Sequence, residues 1–197
     1  MSTLHSCTRA DYLPWGRAMQ LVRRLYEDGE YRMSLLVGCG CFFGLRISDL
    51  LTLTWEDILR KEDLALREKK TGKRRVILIN RSFQGHIRRC CRALGVKDPS
   101  EHCFLNRYGG VISRQMINRK LKWYKVRYHL PVGNFSTHTF RKTWARKIYE
   151  NELREGRGEM ALLKLSELLN HSSPATTRIY IGLRQEELAD MYRGLKF

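Results

Sequence analysis

The chain has 197 residues, which is enough for one domain with a real hydrophobic core and cramped for two. Its 37 lysines and arginines outnumber 20 aspartates and glutamates, giving a net charge of +17 at pH 7. That charge favours a polyanionic partner, of which nucleic acid is the commonest, although a ribosomal or membrane-surface role fits the charge equally well. The amino-terminal residues lack a signal peptide, and the apolar run 35–45 is too short to span a bilayer.

The first elements in chain order are predicted to be helices. Residues 14–28 repeat apolar side chains at three-to-four spacing, which predicts an amphipathic helix. Residues 33–43 are apolar on most sides and predict a buried helix that ends at Gly44. A short helix and a turn follow in "SDLLTLTWEDI".

One β-hairpin is predicted in the middle of the chain. Residues 64–68 and 75–79 are strand-like, and the "KTGK" between them supplies Gly72 for a tight turn. Helices surround this hairpin, so we predict an α+β fold that is mostly α-helical with one small antiparallel sheet.

Start signals mark most of the remaining helices. Ser113 is predicted to cap a helix that runs through Tyr128, and Ser136 or Thr137 to cap one that runs to about Glu150. Ser173 followed by Pro174 is a strong helix start. Three further helical segments are residues 82–94, residues 159–169 with an apolar face at 160, 163, 165 and 168–169, and the amphipathic piece 185–197 with an apolar face at 188, 191, 192 and 195.

The cysteine pattern argues against a metal centre. The six cysteines form no CxxC pair, and no histidine lies at zinc-finger spacing. Cys39 and Cys41 lie in the apolar helix, where free thiols behave as small hydrophobic side chains. We therefore expect no metal ion and a cytosolic compartment.

The segment "THTFRKTW" is one candidate for phosphate chemistry. His138 and Arg141 are three residues apart at a helix start, so their side chains leave the same face. Free backbone N–H groups at that end also favour an anion. The pair would thus form a phosphate site that contains a titratable group, although HxxR also arises by chance in an arginine-rich chain.

Two further cationic candidates lie earlier in the chain. Arg46 in "GLRISDLL" follows the end of the buried helix, and Asp49 could brace it through a charge-assisted bond. Lys70 at the hairpin tip could donate a proton to a departing oxygen. Taken singly, an arginine at a surface corner and a solvated lysine explain these residues as well.

The last candidate is "LNHSSPATTRIYIG". His171 precedes the cap of a short helix and Tyr180 lies in its second turn, so one phosphate could touch both. A tyrosine hydroxyl is a poor nucleophile at its ordinary pKa of about 10 and would need a base or cationic surroundings. By itself the segment fits a buried core tyrosine equally well.

Together these segments closely resemble the tyrosine recombinase (phage integrase-like) family. The family order is an arginine, a hairpin lysine, HxxR, a histidine or tryptophan, and a tyrosine nine residues later, and all are present here. The family's L-W-x-D-I element is matched by Leu53, Trp55, Asp57 and Ile58. The resemblance covers residues 10–197, and Asn170 stands where the family usually has glycine. Asparagine also tolerates left-handed backbone angles, so we expect the helix C-cap to be kept.

The resemblance implies a DNA breaking-rejoining fold and a role for each residue. Arg46 and Arg141 would hold the scissile phosphate, and Tyr180 would attack it to form a 3′-phosphotyrosyl bond. Lys70 would be the general acid for the leaving oxygen. His138 would serve as acid and base, and His171 would hydrogen-bond the phosphate. Asp49 would be a supporting residue, and no metal, ATP or other cofactor is implied.

The resemblance also implies partners and a domain plan. We expect one catalytic domain over 1–197, with tails at about 1–10 and 185–197 and without the family's amino-terminal core-binding domain. The chain would be either a short stand-alone member or part of a longer recombinase. We expect double-stranded DNA as partner, a homotetramer on paired sites, a monomer or weak dimer off DNA, and no membrane.

Several outcomes stay open at this level. Accessory DNA-bending or directionality proteins fit the family, and the location would be cytoplasmic and nucleoid-associated. Integration, excision, inversion and resolution differ in site arrangement and are not distinguished. The carboxyl-terminal piece could pack in cis or on a neighbouring copy. Alternative functions are a type IB topoisomerase-like strand relaxation and a catalytically silent DNA-binding regulator of the same fold.

Overall fold

The computed structural model of the chain describes residues 10–193, except for the side chains of residues 184–188. This part of the chain forms ten helices and two strands. In order they are α1 (Trp15–Glu27), α2 (Tyr31–Phe43), α3 (Ile47–Leu50), α4 (Trp55–Ile58), β1 (Asp63–Arg67), β2 (Arg74–Leu78), α5 (Arg81–Ala93), α6 (Arg114–Arg127), α7 (Thr137–Arg154), α8 (Gly158–Leu169), α9 (Pro174–Tyr180) and α10 (Leu183–Arg193). The predicted α+β class is confirmed, because the two strands pair antiparallel and every other element is helical.

The main core surrounds α2, whose side chains are buried along nearly its whole length. Helices α1, α5 and α7 pack against it, as expected for a helix that is apolar on all sides. Gly38 and Gly40 permit this, since an added Cβ would lie 2.5 Å from Phe83 and 2.7 Å from Phe140. The thiols of Cys39 and Cys41 are fully buried as predicted.

The predicted helix starts are confirmed by their capping bonds. The Ser113 side chain accepts from the N–H of Met116 at the start of α6. The Ser136 side chain caps α7. The Ser173 side chain accepts from Thr176 at 3.2 Å, with Pro174 in the first turn of α9. These caps are local contacts, which is why sequence alone identified them.

Several boundaries and one face differ from prediction. Both strands begin and end one residue earlier than expected, which moves Glu68 out of β1 and into the loop. Helix α7 continues to Arg154 instead of ending near residue 150. The predicted apolar face of α8 was wrong in part, because Met160, Leu163 and Leu168 are about half exposed. Its buried face is Ala161, Leu165 and Leu169, since α8 packs against α7 and α9 on that side.

The carboxyl-terminal piece is helical, but α10 begins at Leu183, before the predicted residue 185. The predicted apolar face included Met191 and Tyr192, which are both exposed. Its other two members, the Leu188 side chain and Leu195, lie outside the described residues. None of the described helices combines the length and the apolar run needed to cross a membrane.

His86 makes the stability of this core depend on pH. Its ring lies between Ser34 and Cys90, with Nε2 3.0 Å from Ser34 Oγ and 3.4 Å from Cys90 Sγ. Burial, and secondarily the charge of Arg89, lowers its pKa to about 4. The unfolded chain, with a histidine pKa of about 6.5, therefore binds the proton first as pH falls. The free energy of unfolding should drop by about 2 kcal/mol between pH 7 and pH 5 through this residue.

Denaturant unfolding of the wild type and of His86→Gln at several pH values measures this effect. The other histidines and the carboxylates titrate in both proteins, so the difference between the two curves isolates His86. We expect the variant to be less stable at pH 7 and to lose less stability toward pH 5. Parallel curves would contradict the assignment.

Candidate active site

A second, smaller core positions the carboxyl-terminal part of the site. It consists of Trp144, Ala145, Leu165, Leu169, Ile181 and Leu183. Tyr180, the last residue of α9, packs against it and is partly buried. The Tyr180 ring meets the His171 ring edge to face, with centroids 4.9 Å apart. The two residues that are nine apart in sequence are therefore in direct contact.

Arg141 is held from the other side, by the end of α2. Its Nη1 donates to the carbonyl oxygen of Gly44 at 2.6 Å, and its side chain is almost fully buried. Its Nη2 is also buried, and it has no hydrogen-bond partner among the described residues. Burial lowers the pKa of Arg141 to about 10, so it remains charged at pH 7. A buried guanidinium N–H without a partner favours an anion beside it.

Arg46 is braced by a carboxylate that was not predicted. Its Nη1 donates to Glu68 Oε2 at 2.5 Å and its Nη2 donates to the Leu169 carbonyl at 3.4 Å. The predicted bond from Asp49 to Arg46 is wrong. Asp49 is buried, and its Oδ1 accepts from the backbone N–H of Lys69 at 2.9 Å. Its carboxylate thus supports the hairpin loop, while Glu68 supports the arginine.

The surroundings of His138 and His171 favour the neutral form of each ring. Partial burial, and then the charges of Arg114 and Arg141, lowers the pKa of His138. Partial burial, and then Arg141 and Arg46, lowers the pKa of His171. In addition, His171 Nδ1 lies 2.9 Å from the hydroxyl of the buried Thr177, which fixes the ring.

A cleft of about 600 Å³ opens at Tyr180. His138 and Lys142 also line it, and Lys142 Nζ lies 5.0 Å from the centroid of the Tyr180 ring. Burial raises the pKa of the Tyr180 hydroxyl, while the charges of Arg141 and Arg46 act to lower it, and the net shift is upward. The hydroxyl is therefore protonated at pH 7 and needs a base to become a nucleophile.

Of the two lysines that flank Thr71 and Gly72 at the hairpin tip, only Lys73 bonds a described residue next to the site. Lys73 Nζ donates to the side-chain oxygen of Asn170 at 2.7 Å. Lys70 is exposed and, within the described part of the chain, makes no hydrogen bond or ion pair with the other predicted site residues. Asn170 adopts the left-handed conformation at the end of α8, with φ of 57°, as predicted.

The structure thus brings five of the six predicted residues into one neighbourhood and leaves Lys70 on its rim. Sequence reasoning missed Glu68, Lys142 and the link from Lys73 to Asn170. One signal could have identified Glu68, because it is the only acidic residue between Asp63 and Asp98. No comparable sequence signal singles out Lys142.

Gly44 connects the end of α2 to this site. Its φ is +59°, and an added Cβ would lie 2.2 Å from the Trp144 ring. Gly44→Ala should therefore cost about 2–5 kcal/mol of unfolding free energy, from left-handed backbone strain and from overpacking against the ring. Denaturant unfolding measures the loss.

Gly72→Ala is the matched control for this prediction. Gly72 also has positive φ, +67°, but nothing lies within 4 Å of its added Cβ. Gly72→Ala should therefore lose only the unfolding free energy that comes from left-handed backbone strain, about 1–2 kcal/mol. Equal losses for the two variants would show that the contact with Trp144 does not contribute.

Comparison with known proteins gives consistent matches. The model of the phage integrase family matches residues 18–187. A probable integrase/recombinase of Bacillus subtilis, YoeC, is 31% identical over 179 residues, which cover 89% of this chain and 91% of that protein. The tyrosine recombinase XerC of Xanthomonas axonopodis pv. citri is 32% identical over 149 residues, covering 76% of this chain. The chain spans about half the length of that relative, 46%.

The fold is also found among solved structures. A complex of the XerH site-specific recombinase with its palindromic difH substrate matches with a TM-score of 0.66 at 19% identity. The match covers 95% of this chain and 55% of that protein. At this identity the likeness concerns the fold, and it agrees with the predicted breaking-rejoining architecture.

Proposed function

Because this chain belongs to the phage integrase family of tyrosine recombinases, we propose that it cuts and rejoins DNA strands at specific sites through a covalent bond to Tyr180. The observation that carries the proposal is the convergence of four side chains on Tyr180. His138 lines the same cleft, His171 contacts the tyrosine ring, and the charges of Arg141 and Arg46 act on the tyrosine hydroxyl. The net charge of +17 favours the phosphate backbone as ligand.

Arg46 and Arg141 are proposed to bind the non-bridging oxygens of the scissile phosphate. Arg141 has one guanidinium nitrogen bonded to the protein, at the Gly44 carbonyl, and Arg46 has two, at Glu68 and at the Leu169 carbonyl. The unpartnered Nη2 of Arg141 is available for an oxygen of the phosphate. Charges fixed in this way stabilise the pentacoordinate transition state because they need no reorganisation when the negative charge develops.

The attacking step uses Tyr180 and His138. As the bond from Tyr180 Oη to phosphorus forms, the hydroxyl proton passes to His138, whose lowered pKa keeps it able to accept at pH 7. The bond from phosphorus to the 5′ oxygen breaks, and that oxygen takes a proton from Lys70. The products are a 3′-phosphotyrosyl ester and a free 5′-hydroxyl. Attack by a 5′-hydroxyl reverses these steps and reseals the strand without ATP.

His171 and Lys70 complete the proposed site. A Thr177 hydroxyl that donates to His171 Nδ1 leaves the proton on Nε2, from where it can bond a phosphate oxygen. Lys70 would reach the 5′ oxygen only after the hairpin tip or its side chain moves toward bound DNA. Asp49 has a supporting role in this scheme, since it holds the backbone of Lys69 beside Lys70.

The proposed partner is double-stranded DNA, with a homotetramer assembled on paired sites. XerH is described in its complex with a difH substrate, and a lambda integrase dimer with a COC′ core site, and both share this fold. A recombinase needs paired sites and a synaptic tetramer, whereas a type IB topoisomerase-like enzyme would relax supercoils as a monomer. The proposed catalytic unit is one domain over residues 1–197.

A nicked suicide duplex tests the proposal. Loss of the short strand beyond the nick traps the cleaved state, so a covalent protein–DNA band should appear on a denaturing gel. A candidate site is obtained first by selecting bound duplexes from a random pool. Peptide mapping should then place the DNA on the peptide that contains Tyr180.

The outcome of this test distinguishes the proposed function from its two alternatives. A trapped band together with products from paired sites supports recombination. A band with relaxation of supercoiled DNA and no exchange between sites favours the topoisomerase-like alternative. Binding of duplex with no band favours the silent regulator and contradicts the proposal.

A further inference from the structure

The buried carboxylate of Glu68 lies among the arginines of the site. Glu68 follows β1 in the hairpin loop, and only 4% of its surface is exposed. Burial acts to raise its pKa, but hydrogen bonds from Arg46 and Thr71 outweigh burial and the pKa is lowered. The group is therefore ionised at pH 7. A buried charge of this kind is maintained only by close partners.

Glu68 has four such partners, divided between its two oxygens. Oε2 accepts from Arg46 Nη1 at 2.5 Å and from Thr71 Oγ1 at 3.0 Å. Oε1 accepts from Arg75 Nη1 at 3.2 Å and lies 3.9 Å from Arg141 Nη1. One side chain thus links three arginines that come from three separate segments.

Glu68 neutralises only part of the positive charge of the three arginines. Three guanidinium groups around one carboxylate carry a net charge of +2. The carboxylate offsets the mutual repulsion that would otherwise push Arg46 and Arg141 apart. Arg75 is occupied elsewhere as well, because its Nη2 donates to the Phe43 carbonyl at 3.0 Å and its guanidinium lies over the Trp144 ring. Arg46 and Arg141 therefore carry the charge that remains for a phosphate.

The same carboxylate fixes the loop that bears Lys70. The backbone carbonyl of Glu68 accepts from the N–H of Gly72 at 2.8 Å, and its side chain holds Thr71. Lys70 lies between these two anchored positions. Glu68 therefore connects the arginine that holds the phosphate with the loop that would protonate the leaving oxygen.

We propose that Glu68 is a positioning residue that fixes Arg46, Arg141 and the loop bearing Lys70 relative to one another for strand cleavage. The inference rests on the proposed function for its catalytic consequence. The geometric part, that Glu68 immobilises the arginines, stands apart from catalysis.

Glu68→Gln tests the inference, because it keeps the shape and removes the charge. With the suicide duplex, adduct formation should be about 10- to 100-fold slower, the loss typical of residues that orient a reacting group. Duplex binding should be unchanged or tighter, since a negative charge is removed. Asp63→Asn is the matched control: it removes a charge from the same hairpin, at an exposed residue paired with Leu78 across the sheet.

A readout without catalysis separates this inference from the proposed function. In ¹⁵N NMR spectra of the free protein, restricted guanidinium rotation should be seen for Arg46 in the wild type and in Asp63→Asn, and lost in Glu68→Gln. Glu68→Asp keeps the charge and the folded core, and it should fall between the wild type and Glu68→Gln in both readouts.

The possible results divide cleanly. Slower adduct formation with mobile Arg46 and intact binding supports the inference. If Glu68→Gln matches Asp63→Asn in rate and in guanidinium rotation, the inference is overturned. If the wild type forms no adduct with any duplex, the proposed function fails, and the guanidinium spectra alone decide whether Glu68 positions the arginines.

Discussion

Replacing Tyr180 with phenylalanine is expected to abolish the covalent protein–DNA adduct while leaving duplex binding intact. The change removes one oxygen, and the ring can keep its edge-to-face contact with His171 and its place on the smaller core. Loss of the nucleophile should slow adduct formation by at least about 10⁴-fold, as removal of a reacting atom does in other covalent enzymes. Gel-resolved single-turnover cleavage of the suicide duplex measures the rate.

Tyr149→Phe is the matched control for this change. Tyr149 lies on α7 and packs against the same smaller core, so the two variants make the same chemical change in similar packing. We expect Tyr149→Phe to cleave at nearly the wild-type rate. An adduct that forms equally well in Tyr180→Phe would show that another residue attacks the phosphate.

Local chemistry explains which parts of the fold could be predicted. Ser113, Ser136 and Ser173 each bond an N–H two or three residues away, so a short stretch of sequence contains the whole interaction. The left-handed Asn170 is a similar case, because asparagine tolerates that backbone conformation better than most residues. The six proposed site residues were identified differently, through the resemblance of short motifs in a fixed order to the family pattern.

Contacts between distant segments explain what could not be predicted. Arg46 could reach either Asp49 or Glu68 as far as sequence shows, and only the packing of the hairpin selects Glu68. The wrong prediction that Met160 is buried has the same cause, because the apolar period of α8 does not show which side of the helix its neighbours cover. A one-residue shift of the strands then decides that Glu68 lies in the loop.

Arg141→Lys is expected to have the second largest effect on cleavage. The two terminal nitrogens of Arg141 have different roles. Nη1 donates to the Gly44 carbonyl at 2.6 Å, and Nη2, which is buried and unpartnered among the described residues, is proposed to bind the phosphate. A lysine ammonium is a single point charge on a longer flexible stem and cannot match that fork. We expect a loss of about 10²–10³-fold in the rate of adduct formation, as when one fixed donor to a developing oxyanion is removed.

The split between binding and cleavage makes this prediction specific. Duplex affinity should change little, because the substitution keeps the positive charge, and an Arg119→Lys control on the exposed surface of α6 should cleave normally. Titration does not explain the loss, since the pKa of Arg141 is about 10 and both side chains are charged at pH 7. If Arg141→Lys cleaves within about tenfold of the wild type, the bidentate role is wrong and the site needs only a positive charge there.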